Sequence, residues 1–240
     1  MAPLSRIQMG IPRARVLAGL FAGLLLLLSV AFAFGVTPKD ALALLADGNA
    51  RFVQGKSTHP NGSKTRLVET AAGQHPFAVV LTCADSRVSP ELIFDRGIGD
   101  LFVVRTAGNV IDPVVIGSIE YAVEHLHAPR IIVMGHTRCG AVQAAAEQAH
   151  AEGSIGVVVA CITPAVEQTA KLTPKPADDA FLDAVSEANA RQQAALLLRR
   201  SPLIAEAARG GTVVVSCAMY DVRTGVVTLS RTPVAVPDAR

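Results

Sequence analysis

Phe77-Ala-Val-Val-Leu-Thr-Cys-Ala-Asp-Ser-Arg87 decides how the chain folds. The run from Phe77 to Thr82 has no polar alternation, as expected of a strand buried on both faces of a parallel sheet. Cys83-Ala-Asp-Ser-Arg87 then leaves the strand as a loop, with a thiol, a carboxylate and a guanidinium at alternate positions. A second run, Ile131-Ile-Val-Met134, leads in the same way into His136-Thr-Arg-Cys139. In open parallel sheets ligands bind at the carboxyl ends of the strands, near the point where strand order reverses. The spacing therefore brings two Cys and one His together from two strand ends.

Working outward, Leu101–Thr106 is a further buried strand, residues 130–134 a third and Thr212–Cys217 a fourth. The turn Tyr220-Asp-Val-Arg-Thr-Gly225 leads into a fifth, Val226–Ser230, antiparallel to the fourth. Helices fall between them. Thr37-Pro38-Lys-Asp40 is a capping box with Pro at the first helical position, and Ala41, Leu42, Leu45, Gly48, Asn49 and Phe52 form its apolar stripe. Residues 55–66 read as loop, and Ser89-Pro90-Glu91 opens a short helix. Asp112-Pro113 caps a helix running to about His127, whose sheet-facing positions are Val114, Ile116, Ile119, Ala122, Val123 and Leu126. An Ala-rich helix begins at Gly140, and residues 154–171 and 178–199 complete the set. The fold class is α/β: a mostly parallel four-stranded sheet with an antiparallel fifth strand and helices on both faces. Residues 36–240 make one domain, a size that a single core supports.

Residues 1–35 carry Arg6, Arg13 and Arg15, then the uncharged stretch Val16–Phe34 ending in Ala31-Phe-Ala33. That is the pattern of an export signal cleaved at Ala-x-Ala, and it directs the protein to the periplasm or outside the cell. Left uncleaved, its length would serve as a membrane anchor. The 22 basic and 20 acidic side chains include those three Arg, so the basic excess belongs to the leader. With 18% charged residues of mixed sign and no aromatic interleaving, the chain offers no nucleic-acid surface.

Thiolate and imidazole donors suit zinc, whose catalytic sites keep one position for water. Cys83, His136 and Cys139 supply three ligands for one ion per chain, and the helix start after Cys139 is expected to lower its thiol pKa. Asp85 is either a fourth metal ligand or is turned away by Arg87, two positions on, in a charge-assisted pair. In the second case a zinc-bound hydroxide forms near neutral pH and Asp85 accepts its proton in a hydrogen bond. The competing readings are a Cys83–Cys139 disulfide, a closed structural zinc site, and a plain ion pair between Asp85 and Arg87. Cys161 and Cys217 lie in apolar runs and read as small buried hydrophobes.

Cys83-Ala-Asp-Ser-Arg87 with His136-x-x-Cys139 resembles the signature of β-class carbonic anhydrases. The resemblance extends over about residues 38–230, through Gln74, Phe102-Val-Val-Arg105, Ala107-Gly-Asn109, Gly117-Ser-Ile-Glu-Tyr121 and Tyr220-Asp-Val-Arg-Thr-Gly225. It implies a zinc enzyme that reversibly hydrates CO2 to bicarbonate and a proton, with Asp85 and Arg87 as catalytic residues. It also implies that Gln74 donates to a CO2 or bicarbonate oxygen, that Phe102, Ala107, Gly108 and Tyr121 form the rest of the substrate pocket, and that the chain is a homodimer or a larger assembly. Hydrolysis of a related linear molecule such as carbon disulfide is the alternative on the same scaffold, and a non-catalytic zinc or thiol redox protein the alternative of another kind. By residue type alone, Phe102 and Tyr121 would be core and Gln74 a solvated loop residue.

Overall fold

The computed structural model describes residues 35–147, 152–172 and 178–237. The leader proposed for residues 1–35 therefore lies, apart from Gly35, outside the described residues. Five strands form one sheet in the order β2-β1-β3-β4-β5: β1 (Ala78–Cys83), β2 (Leu101–Thr106), β3 (Arg130–His136), β4 (Val214–Tyr220) and β5 (Val227–Leu229). The first four are parallel and β5 runs antiparallel to β4, as expected. The chain steps from β1 outward to β2, then returns past β1 to lay down β3. That reversal puts the switch point between the carboxyl ends of β1 and β3. Thr82 pairs with Met134, and its hydroxyl donates to the Met134 carbonyl at 2.9 Å, so Cys83 and His136 end adjacent strands.

Both central strands are buried along their whole length, which explains their continuous apolar sequence. On one face Val79, Leu81, Ile131, Val133, Val215 and Cys217 meet helices α4 (Pro113–Glu124), α7 (Asp179–Arg200) and α8 (Pro202–Arg209). On the other, Ala78, Val80, Ile132, Met134, Ala218 and Tyr220 meet helix α1 (Pro38–Val53) and the end of the one-turn helix α3 (Pro90–Ile93). Above the carboxyl ends, α5 (Gly140–Ala146) and α6 (Ile155–Leu172) gather with α7 around a third cluster that includes Cys83 and Cys139.

The capping box at Thr37 and Asp40 forms as read, and the Asp112 side chain accepts from the Val115 N–H at 2.8 Å. The sheet-facing positions of α4 need one correction. Val114 is 76% exposed, whereas Val115 is buried. Ile116, Ile119, Ala122 and Val123 are buried as read, and in the first turn it is Val115, four residues before Ile119, that shares their face. Two helices escaped the sequence reading: α2 (Lys64–Thr70), which begins inside the stretch read as loop, and α8. Cys161 and Cys217 are free thiols; Cys217 is buried, and burial pushes its pKa up to about 11.

The loop after α1 is pinned by Asp95, whose side chain is fully buried. It accepts from Arg51 Nε at 2.6 Å and from the backbone N–H groups of Thr58 and His59 at 3.1 and 2.8 Å. Burial alone would raise its pKa, but these donors outweigh it and hold the carboxyl well below the usual carboxylate range. Because the folded protein binds this proton less readily than the unfolded chain, the contribution is complete above the unfolded pKa of about 3.9 and declines as the solution is acidified below it. Asp95→Asn should cost about 1.5–3 kcal/mol at neutral pH, the value of hydrogen bonds to a charged group. Urea melts at pH 7 and pH 3 provide the check: the gap between the two proteins should narrow at the lower pH, and a gap independent of pH would refute the assignment.

Candidate metal centre

Cys83 is the last residue of β1, His136 the last of β3, and Cys139 the N-cap of α5. Strand pairing fixes the first two, and the tight turn Thr137-Arg138, with Arg138 at φ +55°, brings the third back over them. All three are buried, and their donor atoms lie within 4.8 Å of one another. The two sulfurs are 4.0 Å apart. Two thiolates on one tetrahedral zinc, each about 2.3 Å from it, stand roughly 3.8 Å apart. His136 Nδ1 sits 2.9 Å from the Thr137 carbonyl and so donates to it, which leaves the lone pair on Nε2. That Nε2 is buried without a hydrogen-bond partner among the described residues. An orphaned imidazole nitrogen beside two close sulfurs is what a tetrahedral zinc site requires, so the donor set fits the ion.

The two thiols titrate as a pair. The hydrogen bond from Cys139 is the largest influence on Cys83 and, against burial, holds its thiol down to about 4, with the N–H groups of Asp85 and Gly108 assisting. Cys139 is pushed up, first by that same bond, then by burial and by the charge on Cys83. The N–H groups of Val142 and Ala141 at the start of α5 do pull it down, as the sequence suggested, but the neighbouring sulfur outweighs them. One proton thus serves two sulfurs, and a divalent cation displaces it.

Asp85 lies beside this set, with Oδ2 4.0 Å from His136 Nε2. Both its oxygens are taken by Arg87: Nε donates to Oδ1 at 2.9 Å, Nη2 to Oδ2 at 2.7 Å, and the Arg87 backbone N–H also to Oδ1 at 2.9 Å. Of the two positions open to Asp85, the structure shows the one turned to arginine. The guanidinium is the main reason the carboxyl is held down to about 2. Arg87 is itself braced by the Arg138 carbonyl at 3.2 Å. Arg105, at the end of β2, clamps the loop from below, its Nη2 donating to the Asp85 carbonyl at 2.6 Å and its Nε to that of Cys83 at 3.2 Å.

Gly108 joins the centre through its N–H, which donates to Cys83 Sγ at 3.3 Å. Ala107 is exposed beside it. Gln74 is exposed, and its side chain makes no hydrogen bond among the described residues. Phe102 is partly buried against the first core cluster. Tyr121 is 48% exposed, its ring 5.1 Å from that of His125.

The family model described as carbonic anhydrase matches residues 78–227. The chain belongs to the carbonic anhydrase family. It is 41% identical over 192 residues to carbonic anhydrase 2 of Mycobacterium tuberculosis, covering 78% of this chain and 90% of that one. To the carbonic anhydrase of Mycolicibacterium smegmatis it is 40% identical over 196 residues, covering 80% and 93%. Among solved structures it resembles the β-carbonic anhydrase CafA of Aspergillus fumigatus, with TM-score 0.65, 28% identity and coverage of 83% and 92%. The protein is a β-class carbonic anhydrase, and its cofactor is zinc.

Proposed function

We propose that this carbonic anhydrase converts CO2 to bicarbonate and a proton, reversibly, at the centre formed by Cys83, His136 and Cys139, and that Asp85 and Arg87 are its catalytic pair. The observation that carries the reading is the buried Cys2His donor set with Asp85 engaged by Arg87 beside it. Zinc supplies the acidity that makes a nucleophile of water near neutral pH. The chain's residues supply the orientation. Arg87 keeps Asp85 ionised, so its oxygens only accept hydrogen bonds. Asp85 therefore takes the O–H of the attacking group and aims that group's free lone pair at the carbon of CO2. Cys83 and Cys139 form an apolar, buried floor with Val142, Ile162 and Val185, which strengthens each electrostatic contact above it.

The substrate side of the pocket is proposed to consist of Gln74 as a donor and of Phe102, Ala107, Gly108 and Tyr121 as walls. Tyr121 and Val114 are 48% and 76% exposed, and β2 is an edge strand of intermediate burial. Apolar surface of that kind supports a homodimer in which a second copy covers β2 and α4. The Arg-led apolar segment at residues 1–35 supports export, with residues 36–240 as the working domain.

Stopped-flow CO2 hydration by the zinc-loaded protein across about pH 6.5–9 tests the reaction. Activity should rise with pH. One zinc bound per chain with no hydration at any pH would overturn the reading.

A further inference from the structure

We infer that Asn189 and Gln193 of α7 are positioning residues for the metal centre: they hold the Ala107–Ile111 turn so that Gly108 donates its N–H to the Cys83 sulfur. Through that bond they set how firmly the sulfur holds zinc. The inference rests on the reading of Cys83 as a zinc ligand and extends it to residues that touch neither metal nor substrate.

The turn that carries the donor is unusual in its backbone. Gly108 and Asn109 both lie in the left-handed region, at φ +64° and +46°. The first of them favours glycine: a Cβ there would adopt a backbone that L side chains rarely take and would lie 2.6 Å from the movable end of Ile162, Cδ1, and 3.3 Å from Ala141 Cβ. Non-glycine residues held in the left-handed region cost backbone energy and persist where the surroundings fix them; the Thr106 hydroxyl braces this turn from within, donating to the Val110 carbonyl at 2.7 Å. Asn189 Nδ2 donates to the Gly108 carbonyl at 2.8 Å, and Gln193 Oε1 accepts from the Ile111 N–H at 3.1 Å, so α7 grips the turn at both ends. Gln193 Nε2 donates to Asn189 Oδ1 at 3.2 Å and to the Cys161 carbonyl at 3.4 Å, which fixes which way each amide points. Asn189 is 0% and Gln193 1% exposed, one helical turn apart. Burying two amides inside a helix–sheet interface is costly unless they are bonded in this way.

The consequence reaches the metal through one atom. An N–H aimed at a ligating sulfur draws charge from it and orients its remaining lone pairs, which is how groups outside the ligand set tune a metal site. If the amides release the turn, the Gly108 N–H leaves the sulfur while all three ligands stay in place.

A matched pair of variants separates positioning from stability. Asn189→Ser shortens the side chain and removes its donor to Gly108. Asn49→Ser makes the same change at a buried Asn of α1, which bridges the Ile93 and Gly225 carbonyls and the Val227 N–H and bonds to no residue of the metal centre. Zinc affinity by competition with a chromogenic chelator, and the sulfur-to-metal charge-transfer band of the Co2+-substituted protein, are read beside the thermal melt. Asn189→Ser should bind zinc about 10-fold or more weakly, the usual effect of losing a group behind a metal ligand. Its Co2+ band should shift, while Asn49→Ser keeps the wild-type affinity and band at a comparable loss of melting temperature. Should Asn189→Ser be insoluble, Gln193→Glu keeps the acceptor for Ile111 and loses the donor to Asn189, and the same shift and weakening are expected of it. Wild-type affinity and band in the soluble variant, or equal weakening in Asn49→Ser, would overturn the inference. Both readouts are independent of turnover, so a failure of CO2 hydration leaves them interpretable.

Discussion

Cys139→Ser is expected to release zinc and lower stability together. Zinc bound by thiolates and imidazole in small domains contributes about 10–16 kcal/mol, so the loss of one of three protein ligands removes on the order of a third of it. Three to five kcal/mol is roughly two to four orders of magnitude in zinc affinity. Because the metal binds the folded chain and not the unfolded one, that loss also appears in the melting temperature at fixed free zinc. The serine hydroxyl would stand in the apolar cluster of Cys83, Val142, Ala145 and Ile162 without the charge that a thiolate brings to the ion. Zinc content after dialysis against a mild chelator, with melts in and out of zinc, decides the matter. Cys161→Ser is the companion variant and should keep its metal, since among the described residues Cys161 is not one of the three clustered donors. A Cys139→Ser protein that retained stoichiometric zinc would remove Cys139 from the ligand set.

Asp85→Asn should separate catalysis from metal binding. The three donors do not include Asp85, so zinc content stays at the wild-type level. The amide cannot accept at both atoms, so it loses at least one of the three hydrogen bonds from Arg87 and can present an N–H where the reaction needs an acceptor. Loss of a positioned proton acceptor typically costs 10^2–10^4-fold, and the fall is expected in kcat/KM for CO2 hydration. Stability should change little, because Arg87 is 51% exposed and such pairs contribute at most about 1 kcal/mol. Full activity in the variant at neutral pH, or loss of zinc in step with activity, would sink the role assigned to the carboxylate.

How much of this was legible in the sequence differs from element to element. β1 and β3 were plain because strands buried on both faces must be apolar without interruption, and the ligands follow directly from where those runs stop. The Asp85–Arg87 pair was legible because two residues of spacing at a loop start permit a bidentate contact. Helix α2 was missed because Lys64-Thr-Arg-Leu-Val-Glu-Thr70 buries no residue and so has no stripe to find; only Ser63, which accepts from the Arg66 N–H, marked its start. Helix α8 was findable: Ser201-Pro202 repeats the cap-then-Pro pattern of Thr37-Pro38 and Asp112-Pro113. Asn189 and Gln193 gave no signal at all. In Glu-Ala-Asn-Ala-Arg-Gln-Gln193 they read as the solvated face of a long helix, and their burial depends on a turn 81 residues away.

The order of the strands has a bearing on how the protein comes to be. Cys83 is made early, and His136 and Cys139 emerge only after β2 and α4 have been laid down outside and above β1. No partial chain ending before residue 139 holds the complete donor set, and no local hairpin can assemble it, since β1 and β3 are parallel with a whole crossover between them. An ion at this centre is therefore a late arrival that rewards the finished pairing of the two middle strands and none of the precursors. Mispaired chains would lack the site altogether, and zinc would act as a selector of correctly threaded molecules.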